Sequence, residues 1–286
     1  MSVSGFRWYV KKSARAACIY GTGLSGIRAL RRGVAGGPVA RVLTYHRFGE
    51  SVHDPFCVSP DDFAAQMKLL ADEGRAVSLQ QLQDFLNGKD TVPVDACLIT
   101  IDDGMLSTLT HALPVLERYG VPAVAYVSAS LVGRDTGDAV ERYLTWDELR
   151  ELTASGLVTV GSHAHTHRSM GLMPIDEATV EMAESRRALG EELGATISSF
   201  AYPFGTQSDF NAATDRALTE NGYEVAFSSI HGTVRQGMAP VSLPRIKVEG
   251  GESLAMFERL SRGGMDAWQL VDRSLWRLQR VRAEVS

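Results

Sequence analysis

The 286-residue sequence has few of the features that mark disulfide-rich, membrane-spanning or nucleotide-binding proteins. Its three cysteines, Cys18, Cys57 and Cys97, are widely separated and odd in number, so no disulfide framework is expected and a reducing compartment fits best. No segment approaches the ~18 consecutive apolar residues that a membrane span needs. No GxGxxG motif follows a predicted strand, and there is no glycine-rich phosphate loop and no internal repeat. These absences leave a globular enzyme-sized chain without a recognisable nucleotide site.

A basic surplus is also missing, since the net charge is -5, and this argues against a general nucleic-acid binder. The charge is unevenly distributed. Residues 1–49 carry nine of the 29 Lys and Arg and none of the 34 Asp and Glu, which leaves 20 basic against 34 acidic side chains in the rest. The apolar residues among these basic ones suit a helix that lies on an anionic membrane, and an arm that packs on the rest of the chain is the alternative.

We expect this N-terminal extension, residues 1–38, to be retained, because its central stretch at 16–27 is too rich in glycine and polar residues for a secretory signal. The predicted location is therefore the cytoplasm, with peripheral contact at the inner face of the membrane. A C-terminal amphipathic helix is predicted within residues 261–286. Packing on the body of the protein is its simpler interpretation, and a second membrane-surface element is the other.

From residue 40 onward, short apolar runs alternate with longer amphipathic segments, an order typical of a mostly parallel sheet. The predicted strands are 41–45, 76–79, 96–101, 123–127, 157–161, 199–202, 225–228 and 243–248. The predicted helices are 59–71, 106–119, 145–154, 176–193 and 211–221, several of them followed by a glycine stop signal. Because no linker interrupts the series, residues 39–260 predict one α/β domain, an irregular (β/α) barrel of about seven parallel strands.

Reactive side chains follow two of the predicted strands, where the active sites of such barrels lie. Asp102 and Asp103 end a buried strand, and a charge there needs a partner. His163 and His167 follow another strand four residues apart, so a helical turn would let them share an ion. Two histidines and one carboxylate leave coordination positions open, as in catalytic metal sites, and the second carboxylate could take the proton of a water. An exposed polar loop and a simple Asp-Asp-Gly turn are the alternatives.

These residues resemble the signatures of a known family. Thr100-Ile101-Asp102-Asp103-Gly104 resembles Thr-Phe-Asp-Asp-Gly, and the segment from Ser162 to His167 resembles Ser-His-x-x-x-His, of the polysaccharide deacetylases (NodB homology, carbohydrate esterase family four). The likeness covers about residues 39–250. It implies a NodB-type barrel in which Asp102 is the general base and the metal ligands are Asp103, His163 and His167. It implies a divalent metal, with zinc the first choice and cobalt, nickel, iron or manganese also compatible with such a site.

A third family motif, Arg-x-Pro-x-Gly, reads Ala201-Tyr202-Pro203-Phe204-Gly205 here, so its arginine is absent. Arg245 is the candidate to take over that role of orienting the base, with a surface ion pair as the alternative. The resemblance also makes the backbone N–H of Phe204 a candidate donor to the oxyanion.

Leu43-Thr44-Tyr45-His46 resembles the Tyr-His that supplies the general acid in the circularly permuted poly-N-acetylglucosamine deacetylases. His46 is therefore the candidate acid. A buried histidine satisfied by backbone groups is the competing interpretation, and His165 and His231 are the next candidates for the acid.

The sequence thus predicts a metal-dependent hydrolase that removes N-acetyl groups from amino sugars of a polysaccharide or glycolipid. Two alternatives remain: a non-catalytic glycan-binding barrel of a membrane-associated synthesis complex, and a hydrolase of the same family that cleaves a non-sugar amide. The predicted partner is the N-acetylated glycan or glycolipid, no nucleic-acid partner is expected, and the sequence indicates no oligomeric state.

Overall fold

The computed structural model describes residues 12–13, 15–21, 37–50, 54–137 and 141–272. Its strands are, in chain order, β1 (Ala40–Tyr45), β2 (Arg47–Phe48), β3 (Cys57–Val58), β4 (Ala96–Ile101), β5 (Ala123–Val127), β6 (Val158–Ser162), β7 (Ser199–Ala201), β8 (Val225–Phe227) and β9 (Ile246–Lys247). The α-helices are α1 (Pro60–Asp72), α2 (Leu79–Leu86), α3 (Leu113–Tyr119), α4 (Trp146–Ala154), α5 (Ile175–Leu193), α6 (Ala212–Glu220) and α7 (Leu254–Arg259).

Seven of these strands form one parallel sheet in the order β8-β7-β6-β5-β4-β1-β9, and β2 and β3 pair separately. All residues of β1, β4 and β5 are buried, as expected for strands that are covered on both faces. From β4 to β8, a helix connects each strand of the sheet to the next, since a parallel pair cannot be joined by a tight turn. The predicted α/β fold, an irregular barrel of about seven parallel strands, is confirmed.

One short segment, residues 243–247, reaches both edges of the curled sheet. Leu243 pairs with Phe227 of β8, and three residues later Ile246 pairs with Leu43 of β1. The segment changes partners between these two points, at Pro244 and Arg245. The barrel is therefore irregular at this seam, and Arg245 lies where the two sheet edges meet.

The strand predicted at 76–79 is wrong. Ala76 forms a single bridge to Cys97, and the chain then turns into α2. Ser78 caps this helix in a capping box with Gln81, and the buried Leu82, Phe85 and Leu86 follow at helical spacing. The cap and this spacing outweigh the local strand propensity of the residues before them.

The predicted helix at 106–119 is divided into a π-helical turn, Thr108–Ala112, and α3.

The described part of the N-terminal extension, residues 12–13 and 15–21, packs on the barrel. Ile19 is fully buried in the core, and the Arg15 guanidinium pairs with Glu252 at 2.8 Å. For these residues the packed arm is the correct interpretation. The other basic residues predicted to meet a membrane, Arg7, Lys11, Arg28, Arg31 and Arg32, lie outside the described residues, as does the predicted C-terminal helix beyond residue 272. None of the helices in the described ranges has the length and apolar character of a membrane span.

Candidate active site

The carboxyl ends of β1, β4, β6 and β7 meet at one mouth of the barrel, where parallel strands end together. The predicted site residues therefore come into one group, although they are scattered over about 200 positions of the sequence. His46 follows β1, the two aspartates follow β4, and the two histidines follow β6. Phe204 lies beyond β7 and Arg245 immediately precedes β9.

Asp103, His163 and His167 form the one cluster of three or more potential ligands in the described part of the chain, with one ligand atom of each within 4.8 Å of the others. Asp103 Oδ1 lies 3.6 Å from Nε2 of His163 and 3.3 Å from Nε2 of His167. The Nδ1–H of His163 donates to the Ala201 carbonyl at 2.6 Å, which leaves Nε2 with its lone pair toward Asp103. The donor set and this outer hydrogen bond fit a divalent ion.

The two histidines converge without a helical turn, so the reason given for their proximity is wrong. Ala164 and His167 have left-handed φ values of 62° and 59°, and Asp103 has φ 74°. Such conformations are unfavourable for residues with a Cβ and persist where surrounding contacts hold them. Gly104 shares this conformation, and a Cβ there would come within 3.2 Å of Val127. The site is therefore built on a strained backbone that the barrel stabilises.

The electrostatic environment puts Asp103 and His163 in metal-binding protonation states. Burial lowers the pKa of His163 to about 4, so its ring is neutral at pH 7. Burial alone would raise the pKa of Asp103, but the hydrogen bond from His167 and the adjacent histidine rings lower it well below its usual range. For His167, burial opposes protonation and Asp103 favours it, with a net rise in pKa. An ionised carboxylate therefore faces the neutral ring of His163, whereas a cation would have to displace the proton that Asp103 favours on His167.

Asp102 and Arg245 form a buried bidentate ion pair beside this cluster. The two guanidinium NH2 groups donate to Oδ1 and Oδ2 at 2.8 and 2.7 Å. Arg245 is 1% exposed, which excludes the surface ion pair considered for it, and its Nε donates to the Ser228 carbonyl at 2.9 Å. Burial alone would raise the pKa of Asp102, but the guanidinium outweighs it and lowers this pKa. Asp102 is therefore ionised at neutral pH, and its orientation is held by the seam between β8 and β1.

His46 is half-buried at the end of β1, with its ring edge-to-face on Phe56 at 4.8 Å. Its Nδ1 is buried and has no hydrogen-bond partner in the described residues, so backbone satisfaction of this nitrogen is not observed. Burial lowers the pKa of His46, and the carboxylates of Asp103 and Asp102 oppose that effect. The Nδ1 of His46 is thus free to form a hydrogen bond, and the ring lies near both aspartates.

Phe204 has a left-handed φ of 61° in the loop after β7. Its N–H makes no hydrogen bond to the described part of the chain, in keeping with a donor that awaits a substrate oxygen. The side chain is 54% exposed, and its ring packs against His167 at 5.1 Å.

Of the reserve candidates for the acid, His231 has its Nδ1 occupied, whereas the buried Nδ1 of His165, like that of His46, has no partner in the described part of the chain. His231 Nδ1 bonds to Asp272 at 2.8 Å, and the backbone N–H of His165 donates to Glu181. Sequence reasoning missed Glu181, which lies on α5 beneath the histidine loop. A signal was present, because position 181 falls on the buried face that α5 forms with Ala178, Met182 and Leu189. An acidic residue on an apolar helix face calls for a buried donor.

Comparison with known proteins connects this geometry to a family. A family model described as "Polysaccharide deacetylase" matches residues 89–226, a range that contains the Asp and His motifs and Phe204 but neither His46 nor Arg245. The solved structure of IcaB from Ammonifex degensii is 30% identical with a TM-score of 0.69, over 82% of this chain and 97% of that one.

Two curated relatives agree with this match. YxkH of Bacillus subtilis (strain 168) is 26% identical over 219 residues, 76% of this chain and 74% of that protein. A poly-β-1,6-N-acetyl-D-glucosamine N-deacetylase of Staphylococcus aureus (strain MRSA252) is 24% identical over 203 residues, 68% of each chain.

Proposed function

Because the chain belongs to the polysaccharide deacetylase family and is therefore a carbohydrate deacetylase, we propose that it is a metal-dependent hydrolase of N-acetyl groups on amino sugars. The observation that carries the proposal is an ionised, arginine-paired Asp102 directly beside the Asp103, His163 and His167 cluster. The Staphylococcus aureus relative acts, by its name, on poly-β-1,6-N-acetyl-D-glucosamine. A polysaccharide of N-acetylated amino sugars is accordingly the substrate class we propose first, and a glycolipid with such sugars the second.

Asp103, His163 and His167 would hold the ion, and the chemistry of this donor set favours zinc while admitting cobalt, nickel, iron or manganese. When bound, a divalent ion supplies Lewis acidity that polarises the acetyl carbonyl and makes a water molecule more acidic. The described structure supports this assignment through the hydrogen bond between His163 and Ala201, which presents Nε2 to the site.

Asp102 takes the proton of the attacking water. Each carboxylate oxygen accepts one bond from Arg245 and keeps a second lone-pair direction, so the pairing orients the base without using its full capacity. The guanidinium also keeps the carboxylate ionised in a buried place where it would otherwise hold a proton. Arg245 thereby performs the orienting role of the arginine that is absent at Ala201.

His46 donates a proton to the leaving amine, and the Phe204 N–H donates to the oxygen that gains charge when the carbonyl is attacked. Because burial lowers the pKa of His46, we expect the alkaline limb of kcat/KM below the usual histidine range. The circularly permuted arrangement of the related branch stays a prediction.

Acetate release from oligomers of β-1,6-linked N-acetylglucosamine tests the proposal. Zinc-loaded wild-type chain should release acetate, and Asp102→Asn should retain one equivalent of zinc while losing activity by about 10²-fold or more, because the amide cannot accept the proton. A zinc-loaded wild-type chain that binds the oligomer without releasing acetate would instead indicate a glycan-binding barrel. If acetate were released only from a non-sugar acetamide, the substrate would instead be a non-sugar amide.

We also propose a cytoplasmic location with peripheral contact at the anionic inner face of the membrane. The support is the excess of basic residues at positions 1–38, beyond those that pack on the barrel. Replacing Arg28, Arg31 and Arg32 by Gln should reduce sedimentation with vesicles that contain anionic lipid, in a salt-dependent way, since each charge near the surface contributes about 1 kcal/mol. Equal binding of wild type to neutral vesicles would contradict the electrostatic contact.

A further inference from the structure

We propose that Glu181 of α5 is a positioning residue that holds His163 and His167 at their metal-binding separation. The inference rests on the proposed function, because it concerns the same cluster of ligands. Glu181 touches neither the ligand atoms nor the mouth of the barrel. It acts through two of the three residues that lie between the histidines, His165 and Thr166.

Glu181 satisfies three donors of this loop. Its Oε2 accepts from the backbone N–H of His165 at 3.0 Å and of Thr166 at 2.7 Å, and its Oε1 accepts from the Thr166 hydroxyl at 2.6 Å. The residue is 8% exposed and takes part in no ion pair among the described residues. Both oxygens of a buried carboxylate are therefore directed to a five-residue loop that carries two ligands.

The loop requires such a partner for two reasons. Its N–H groups at 165 and 166 join no strand or helix, and the buried carboxylate of Glu181 gives both of them an acceptor. The left-handed backbone at Ala164 and His167 also stores strain that other contacts must offset. From the β5 side, the Ser128 hydroxyl donates to the His163 carbonyl at 2.6 Å and the Ser130 N–H to the His165 carbonyl at 2.9 Å. The two serines thus bind the carbonyl groups of His163 and His165. Glu181 binds the N–H groups of His165 and Thr166, the residues that directly precede His167.

A competing explanation is that Glu181 only attaches α5 to the barrel. Metal affinity distinguishes positioning of the ligands from simple attachment of the helix, because removing a residue that orients ligands typically changes metal affinity by about 10- to 100-fold. The matched control is Arg186→Met, which breaks another bond of the same helix, from Arg186 Nε to the Ile197 carbonyl at 3.0 Å, without touching residues 163–167. The conservative variant is Glu181→Gln, whose amide oxygen can accept from both N–H groups and whose NH2 can donate to Thr166.

The experiment measures the zinc dissociation constant by competition with a chromophoric chelator, together with amide exchange in the metal-free protein. Glu181→Ala should raise the dissociation constant about 10- to 100-fold and remove protection at His165 and Thr166. Glu181→Gln should bind zinc nearly as wild type does, and Arg186→Met should change neither measurement. Unchanged zinc binding by Glu181→Ala, or equal weakening by Arg186→Met, would overturn the positioning role.

A wild-type chain that binds no zinc would contradict the proposed function rather than the loop contact. Amide exchange then decides on Glu181 separately. Protection that is lost in Glu181→Ala and kept in Arg186→Met supports the role of Glu181 in holding the loop, and protection kept in both variants contradicts it.

Discussion

Strand β4 has an aspartate at each end, and each aspartate is paired with a buried arginine. At the carboxyl end Asp102 meets Arg245, and at the amino end Asp95 meets Arg41 at 2.9 Å. We call these ends of the strand upper and lower. The lower guanidinium, Arg41, binds a second carboxylate, since its Nε and an NH2 also donate to Asp266 at 3.0 and 2.8 Å. Arg262 Nη1 lies 3.9 Å from Asp95, which further surrounds the lower carboxylate with positive charge.

The two pairs differ in what surrounds them. The lower pair is enclosed by the C-terminal segment that contains Asp266, whereas the upper carboxylate adjoins His46 and Asp103 at the open mouth. A buried ion pair whose members are all satisfied by the chain stabilises one arrangement of that chain. The same pair with acceptor capacity left toward an open mouth can do chemistry. This division agrees with the general roles of the two faces of a (β/α) barrel.

Removing the histidine ligands of the upper site should give the largest functional difference between the two ends of β4. His163→Ala combined with His167→Ala leaves Asp103 alone, so the protein should lose its stoichiometric divalent ion and its deacetylase activity should fall to background. Metal analysis and acetate release measure both losses. The Asp95 and Arg41 network is untouched in this variant, so circular dichroism should show a folded chain. A full equivalent of metal in the double variant would place the site elsewhere.

His46→Ala tests the proton donor of the upper site. Acetamide hydrolysis should fall by about 10²- to 10⁴-fold, because the amine leaving group needs a proton, while an aryl acetate needs none and should be impaired much less. Metal content should stay at the wild-type value. Rates of wild type and variant on the acetamide and on the aryl acetate give the loss of activity on each substrate. Equal losses on amide and ester would mean that the ring positions substrate instead.

Arg245→Met sharpens the comparison by removing the upper guanidinium. Burial of Asp102 is then opposed only by the nearby histidines, so its pKa should rise, and because the ionised form is the proposed base, activity should be lost at a higher pH on the acid side than in wild type. The profile of kcat/KM against pH shows the shift. Arg245→Lys, which restores a charge, should move the acid limb back toward wild type. An acid limb that stays in place in Arg245→Met would separate Arg245 from the ionisation of the base.

Arg41→Met is expected to have the smallest effect on turnover. It leaves Asp95 and Asp266 without their shared guanidinium, so the free energy of unfolding should fall by about 3–5 kcal/mol while kcat and metal content stay near wild type. Urea unfolding and acetate release measure the two quantities. A large loss of kcat with little loss of stability would show that the lower pair is coupled to the mouth, and the distinction between the two ends would then be wrong.

Sequence reasoning could predict that the residues of the upper site lie together, because Asp102 and His163 follow strands directly and strand ends converge in a barrel. It could not predict the lower network, because Arg41 is 54 positions from Asp95 and 225 from Asp266, and none of the three lies in a motif. It also failed at Ser78, where a helix cap outweighed strand propensity, and in the loop from His163 to His167. The left-handed turns there depend on Glu181, a contact with a helix that comes later in the chain.

The seam at residues 243–247 also has a consequence for the order of folding. Its pairing of Ile246 with Leu43 joins positions about 200 residues apart, and contacts of such high sequence separation form slowly because the intervening chain must first be ordered. Arg245 reaches Asp102 only when this contact exists. During refolding, helical signal should therefore return before enzymatic activity, because the proposed base, Asp102, gains its arginine only after this distant pairing has formed.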